Sequence, residues 1–122
     1  MSKRILVVDD LATQRAAAAY TLTGAGYEIF QAENGEDAIY QIEVLGGVHL
    51  VIADLSMPVK DGLSLLKTLK QNLQFRSIPV LMLLTESQIP RKEELRQEGA
   101  AGWILKPYQP EQLFSIVSKL IS

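Results

Sequence analysis

Five short apolar runs alternate with five segments of helical character along this chain of 122 residues. The first run, Ile5 to Val8, is apolar at consecutive positions, which is typical of a parallel strand that is buried on both faces. Strands and helices that alternate with short connections predict a parallel sheet covered on both faces and built with right-handed crossovers. A chain of this length is expected to form one domain, over residues 1–122.

The helical segments predict which side chains face the sheet. A third helix is predicted to begin with Asp61 as its cap and to bury Leu65, Leu66, Leu69 and Leu73. A last helix is predicted to begin at Pro110 and to bury Leu113, Phe114, Val117, Leu120 and Ile121. Between them, the segment from Gln88 to Glu98 predicts a helix that starts near Pro90 and is mostly solvated, because Leu95 is its only apolar residue from there on.

Charged residues follow three of the five apolar runs. Asp9 and Asp10 come after the first run, Asp54 comes after the third, and Lys106 comes after the fifth. A lone charge at the end of a buried strand is costly unless another group pairs with it. Since ligands of open α/β sheets bind outside the carboxyl ends of the strands, we expect these four side chains to meet at one edge of the sheet.

Carboxylates gathered at one edge of the sheet favour the binding of a metal ion and a phosphoryl group. Three carboxylates close together repel one another, which raises their pKa values and destabilises the site until a cation binds. Mg²⁺ prefers oxygen ligands and commonly binds one or two carboxylates together with a phosphate oxygen. Asp54 is therefore a candidate nucleophile that forms an acyl phosphate, and Lys106 is a candidate contact for the phosphoryl oxygens.

Each residue also has an ordinary interpretation. An Asp-Asp pair after a strand commonly caps a helix, a role open to Asp10 or Thr13, and a Lys-Pro pair commonly forms a turn. His49 has no second His or Cys partner, so a packing or surface role is favoured for it. The coincidence of all four charged groups at strand ends favours the phosphoryl site.

The composition of the chain argues against several classes of partner and site. The net charge is −2 with no basic stripe, which argues against nucleic acid as a direct partner. There is no Cys, so disulfides and thiolate metal sites are excluded. The longest apolar run, from Ile78 to Leu84, is interrupted by Pro79 and is too short to span a bilayer. We expect a cytoplasmic domain without a membrane partner.

The chain resembles the receiver domains of two-component response regulators over essentially its whole length. The motifs that carry the resemblance are Ile5-Leu6-Val7-Val8-Asp9-Asp10, Asp54 followed by Met57-Pro58 and Asp61-Gly62, and Lys106-Pro107. More narrowly, it resembles chemotaxis-type (CheY-like) single-domain regulators in Pro79 to Met82, Glu86 to Gln88, Gly102 to Ile104 and Pro110 to Leu113. The resemblance implies a flavodoxin-like fold, a doubly wound five-stranded parallel sheet of order 2-1-3-4-5 with five helices.

The resemblance also implies roles for single residues. Asp54 would accept phosphate from a phosphohistidine of a sensor kinase, and Lys106 would contact the phosphoryl group. Mg²⁺ would be held by Asp9, Asp10, Asp54 and the backbone carbonyl of Ser56. The Lys106-Pro107 bond would be cis, and Trp103 would occupy the aromatic position that rotates inward on activation.

Implied partners are a histidine kinase and a downstream protein target, reached through the face formed by the fourth helix, fifth strand and fifth helix. A chemotaxis kinase and a flagellar switch protein are the candidates that the narrower resemblance suggests. Such a receiver is not an enzyme beyond accepting its own phosphoryl group and losing it slowly.

One position departs from the family pattern. The family has a Thr or Ser hydroxyl at the end of the fourth strand, where it bonds a phosphoryl oxygen and pulls the loop inward. Ungapped matching places Leu84 there, and we expect that Thr85 can replace it only through a bulge or a register slip, because successive strand residues face opposite ways. A charge-assisted hydrogen bond of about 1.5–3 kcal/mol would then be missing, and Leu84 would fill space that Trp103 would enter.

Two alternatives remain open at this stage. The first is a receiver with a broken switch that binds its partner whether or not it carries phosphate. The second is an enzyme or nucleotide binder, either a small phosphatase with an aspartyl nucleophile or a flavodoxin-like protein. Ser56 stands where the phosphatase would need an Asp, and Asp9-Asp10 would repel a flavin phosphate.

Overall fold

The computed structural model describes residues 2–121 as a five-stranded parallel sheet with helices on both faces. The strands are β1 (Arg4–Val8), β2 (Glu28–Ala32), β3 (Leu50–Asp54), β4 (Val80–Leu84) and β5 (Gly102–Leu105). The α-helices are α1 (Ala12–Gly24), α2 (Gly35–Leu45), α3 (Gly62–Lys70), α4 (Lys92–Gln97) and α5 (Pro110–Ile121), and a 3-10 helix spans Glu86–Arg91. The strand order β2-β1-β3-β4-β5 confirms the predicted flavodoxin-like fold.

The strand order reverses between β1 and β3. The chain passes from β1 to β2 on one side and then returns to the other side of β1, so that β1 and β3 are neighbours in parallel. Val8 pairs with Ala53, which brings the residues after β1 next to the last residue of β3. Crevices of this kind are the usual ligand sites of open α/β sheets.

The core consists of two apolar layers, one on each face of the sheet. Alternate residues of β1 divide between them: Ile5 and Val7 pack with α1 and α5, while Leu6 and Val8 pack with α2 and α3. This explains why the run is apolar at every position, since a central parallel strand is buried on both faces. Within residues 2–121, no helix has the length and apolar character that a membrane span requires.

The predicted start of α3 is confirmed, but its predicted buried face is too long. The Asp61 carboxylate accepts the backbone N–H of Ser64 at 2.8 Å and so caps the helix. The prediction that Leu73 is buried was wrong, because α3 ends at Lys70 and Leu73 lies 81% exposed in the turn that follows. Phe75, a short way further along the chain, is the side chain that packs into the core there.

Phe114 was also predicted to be buried, and this was wrong. The side chain is 46% exposed, because the face of α5 that meets the sheet carries Leu113, Val117 and Ile121 at a spacing of four residues. Phe114 lies about 100° around the helix from Leu113 and therefore points to the side.

The segment after β4 differs in detail from its prediction. It begins as the 3-10 helix, which contains Pro90, and becomes α-helical only at Lys92. Leu95 is the one buried residue of α4, so the expectation of a thinly anchored helix is confirmed.

Val59 is a strained residue in the loop between β3 and α3. Its φ is +69°, and the Lys60 N–H donates to the Pro58 carbonyl at 2.7 Å, which makes Val59 the centre of a tight three-residue turn. A β-branched residue is rare in this conformation and is destabilised by it. We expect Val59→Gly to raise the free energy of unfolding by about 1 kcal/mol in urea denaturation, since the side chain is exposed and little burial is lost.

The matched control for this prediction is Val44→Gly. Val44 is similarly exposed but lies within α2, where glycine has a lower helix propensity than valine, so this variant should lose about 0.3–0.5 kcal/mol. A Val59→Gly protein that loses stability as Val44→Gly does would show that the turn carries no strain.

Candidate functional site

Three carboxylates meet at the carboxyl end of the sheet. Asp9 and Asp10 follow β1, Asp54 ends β3, and one oxygen atom of each lies within 4.8 Å of those of the other two. Asp9 and Asp54 are buried, whereas Asp10 is exposed to solvent. The predicted convergence of the three acids is therefore confirmed as geometry.

The acids are not there to cap α1. Leu11 occupies the position before the helix, and no side chain caps it in the manner considered for Asp10 or Thr13. Asp9 instead accepts the backbone N–H of Leu11 at 2.9 Å through Oδ1, which fixes its carboxylate beside the turn. The ordinary interpretation of the Asp-Asp pair thus fails in this chain.

Lys106, the residue after β5, is the fourth member of the cluster. Its Nζ donates to Asp54 Oδ2 at 3.1 Å and to Gln14 Oε1 at 3.0 Å. The Lys106 and Asp54 side chains are only 16% and 8% exposed, so this ion pair is largely withdrawn from water. The predicted cis Lys106-Pro107 bond is present.

The pKa of Asp54 is raised above its ordinary value. Burial is the largest cause, Lys106 opposes it, and the negative charges of Asp9 and Asp10 add to it. Lys106 therefore compensates only part of the cost of the Asp54 charge, and the site favours a further cation.

The donor set fits a hard divalent cation. The three carboxylates line one cavity of about 710 Å³ together with Lys106 and Ser56. Carboxylate oxygens in this number are the ligands that Mg²⁺ prefers, and the cavity leaves room for waters and a phosphoryl group. Coordination by the Ser56 carbonyl stays a prediction.

Comparison with known proteins identifies this arrangement. The family model described as response regulator receiver domain matches residues 5–118. The chain belongs to the response regulator receiver family. The matched range contains all four charged residues of the cluster.

Relatives of this receiver include chemotaxis regulators. It is 32% identical over 111 residues to the chemotaxis protein CheY1 of Helicobacter pylori, which covers 90% of each chain. It is 27% identical over 117 residues to the two-component response regulator ORR3 of rice, Oryza sativa, covering 96% of this chain and 89% of that protein. The structure of chemotaxis response regulator CheY4 of Vibrio cholerae superposes with a TM-score of 0.91 at 32% identity, covering 98% of this chain and 99% of that one.

Two glutamines of this receiver line the acid cavity and were not predicted from sequence. Gln14 contacts Lys106 as described, and Gln88 donates from Nε2 to Ser56 Oγ at 2.8 Å while its Oε1 accepts the Thr85 N–H at 2.9 Å. Gln88 had a visible signal, because Thr followed three residues later by Gln is the pattern of a helix-capping box. For Gln14 the only sequence signal was its position four residues after Asp10, a spacing that corresponds to about one helical turn.

Tyr108 also lines the cavity without having been predicted. Burial, and to a lesser extent the negative charge of Asp9, raise the pKa of its phenol. The side chain therefore stays neutral beside the acids.

Leu84, which we predicted at the switch position, is a buried core residue. Leu84 is buried and packs with Trp103, and the two line a cavity of only about 40 Å³ with Ile89, Lys92 and Leu105. That volume is close to the space taken by one water molecule and is far smaller than an indole ring. The Trp103 ring is partly exposed, and Lys92 Nζ lies 5.3 Å from its centre.

Thr85, not Leu84, lines the acid cavity. Strand pairing is continuous from Asp54–Leu83 to Leu84–Leu105, so Thr85 follows β4 on the same side as Leu83. Thr85 thus reaches the cavity without a bulge, and the expectation that it does not replace the switch hydroxyl stays a prediction. Its Oγ1 lies 3.1 Å from Ser87 Oγ, within the loop itself.

His49 has a structural role, as favoured from sequence. Its Nδ1 accepts the backbone N–H of Arg4 at 2.9 Å at the amino end of the sheet, opposite the acids.

Proposed function

We propose that this receiver accepts a phosphoryl group on Asp54, in a Mg²⁺-dependent transfer from a histidine kinase, and passes the signal on by protein contact. The observation that carries the proposal is the meeting of three carboxylates around an Asp54 that is paired with Lys106. Asp9, Asp10, Asp54 and the Ser56 carbonyl would hold the ion. When bound, Mg²⁺ offsets the charge of the carboxylates and of the phosphoryl oxygens.

The residues of the chain then have distinct tasks. An Asp54 carboxylate oxygen attacks the phosphorus of the phosphohistidine, the P–N bond breaks, and the imidazole leaves with the bonding pair and takes up a proton. Lys106, which already forms a hydrogen bond with Asp54, then donates to a phosphoryl oxygen and stabilises the negative charge that this oxygen gains. The chain acts as the acceptor and not as a turnover enzyme.

The proposal extends to the whole chain and its setting. Residues 1–122 would form one receiver domain, which works in the cytoplasm without binding nucleic acid or membrane. The family match over residues 5–118 and the net charge of −2 support this.

The output surface that we propose is the face of α4, β5 and α5. Leu105 of β5 and Phe114 of α5 are exposed there, and Trp103 of β5 is partly exposed. Exposed apolar side chains grouped on one face are typical of protein-binding surfaces. The chemotaxis relatives make a chemotaxis kinase the candidate donor and a flagellar switch protein the candidate target.

Leu84 favours a second candidate function. Because a leucine has no hydroxyl to bond a phosphoryl oxygen, phosphorylation has less differential interaction with which to shift the conformation. The chain would then act as a binding module whose partner recognises it in either state.

The phosphoacceptor proposal is tested by incubating the protein with phosphoramidate or acetyl phosphate and measuring the intact mass. We expect one hydroxylamine-labile phosphoryl group in the presence of Mg²⁺ and none with a chelator. Asp54→Asn should abolish the gain, whereas Glu43→Gln, which changes an exposed carboxylate of α2, should leave it unchanged. A gain that survives Asp54→Asn would place the phosphoryl group elsewhere and refute the proposal.

A further inference from the structure

We propose that Gln14 is a positioning residue for Lys106. Its side-chain carboxamide holds the ammonium group beside Asp54 without neutralising it, so that the positive charge remains available to the phosphoryl oxygens. The proposal rests on the phosphoacceptor function and names a further residue of the same site.

Gln14 is placed by a helix that is tied to the acid loop. It lies in the first turn of α1, four residues after Asp10 and exposed to solvent, and its Oε1 accepts from Lys106 Nζ at 3.0 Å across 92 positions of sequence. The next residue, Arg15, donates from Nη1 to the Asp9 carbonyl at 2.6 Å and from Nε to Gln31 Oε1 at 3.2 Å. The backbone that carries Gln14 is therefore fixed to the loop after β1 and to β2.

The ammonium group of Lys106 has three donors and no acceptor. Asp54 Oδ2 and Gln14 Oε1 take two of them among the described residues, which leaves one for a phosphoryl oxygen. A lysine side chain is long and flexible, so a single bond to Asp54 fixes it poorly. A second acceptor on a rigid helix restricts the ammonium to the position where the reaction needs it.

The hydrogen bond between Gln14 and Lys106 is also expected to persist when Asp54 is phosphorylated. When Asp54 becomes an acyl phosphate, negative charge moves from its carboxylate to the phosphoryl oxygens, and its bond to Lys106 weakens. The amide of Gln14 does not change at that step. Lys106 therefore has a constant anchor while its other partner is replaced.

The neutrality of the anchor is part of the proposal. An amide oxygen accepts a hydrogen bond and leaves the charge of the lysine in place, whereas a carboxylate would form an ion pair and cancel it. Gln14→Glu keeps the size of the side chain and the helix propensity but introduces that ion pair. Gln14→Met keeps the size and removes the acceptor.

The experiment measures the rate of Asp54 phosphorylation by phosphoramidate at saturating Mg²⁺. We expect Gln14→Met to be about tenfold slower than wild type, with an unchanged half-saturating donor concentration, and Gln14→Glu to be slower still. Thr13→Met introduces the same side chain one residue away on α1, outside the cavity, and should react as wild type does. A packing role alone would instead make Gln14→Glu the better tolerated of the two Gln14 variants.

A double-mutant cycle isolates the pairwise effect. If Gln14 acts through Lys106, then Gln14→Met should have no further effect in a Lys106→Met background. A Gln14→Met rate within twofold of wild type, or an equal loss in both backgrounds, would overturn the role of Gln14 alone. A wild-type protein that takes up no phosphate would instead end the phosphoacceptor proposal on which it rests.

Discussion

Replacing Lys106 by methionine is expected to slow phosphorylation of Asp54 by about two to three orders of magnitude. Lys106 is the only cationic side chain among the described residues that line the acid cavity. A fixed donor aimed at developing negative charge in a site of this kind is worth about 10²–10³ in rate. The measurement is the initial rate of phosphorylation with phosphoramidate at saturating Mg²⁺, read by intact mass.

The same substitution should also destabilise the metal-free protein at neutral pH, by about 3 kcal/mol, because it leaves the buried Asp54 carboxylate without its partner. The pKa of Asp54 is already raised by burial, and without Lys106 it should rise further. An acid whose pKa is higher in the folded state than in the unfolded state binds its proton more tightly when folded. Its contribution to stability is therefore present below the unfolded pKa and is lost as the pH rises through the folded pKa.

Urea denaturation at several pH values in a chelator measures this effect. Lys106→Met should lose more stability than wild type between acidic and neutral pH, and adding Asp54→Asn should recover most of the loss. Lys119→Met, on the outer part of α5, controls for the removal of a lysine as such. Equal stability of Lys106→Met and wild type at neutral pH would mean that the ion pair does not compensate the buried charge.

The acid cluster was predictable because strand geometry alone brings it together. The carboxyl ends of parallel neighbours lie at one edge, so Asp9, Asp10 and Asp54 had to meet once β1 and β3 were adjacent. Side-chain alternation likewise explains the two side chains at the end of β4. Leu84 faces the Trp103 side of the sheet, and Thr85 faces the acids.

Other features could not be predicted from the sequence, because they depend on where a long side chain ends or where a helix stops. Gln14 and Gln88 reach the site with flexible carboxamides from a helix and a loop, and periodicity does not report where such groups end. Leu73 continues the apolar spacing of α3, but the helix has already ended at Lys70. Phe114 follows the buried Leu113 in α5, and an apolar sequence pattern does not show how much of the helix surface faces the core.

Leu84→Thr is expected to couple phosphorylation to Trp103 more strongly than the wild-type sequence does. Leu84 fills the space behind the indole, where the remaining cavity is only about 40 Å³. Threonine is smaller, and we expect its hydroxyl to bond a phosphoryl oxygen as the family's Thr or Ser does at this position. That bond is worth about 1.5–3 kcal/mol in the phosphorylated state, enough to shift a two-state equilibrium by a factor of about 10 to 100.

The substitution has a cost in stability that the experiment must accommodate. Leu84 is fully packed in the core, so truncating it should lower the free energy of unfolding by about 2–4 kcal/mol. Leu84→Val opens similar space and has the shape of threonine without the hydroxyl, which makes it the matched control. Both variants should be checked by urea denaturation before the coupling is measured.

Trp103 is the only tryptophan of the chain, so its emission reports the coupling directly. We expect phosphorylation to change the emission strongly in Leu84→Thr and weakly in Leu84→Val and wild type, because only threonine combines space with a donor. This outcome favours a chain that binds its partner in either state, since the wild-type switch then lacks its driving contact. A wild-type response as large as that of Leu84→Thr would show instead that another donor, with Thr85 the nearest candidate at the cavity, already drives the switch.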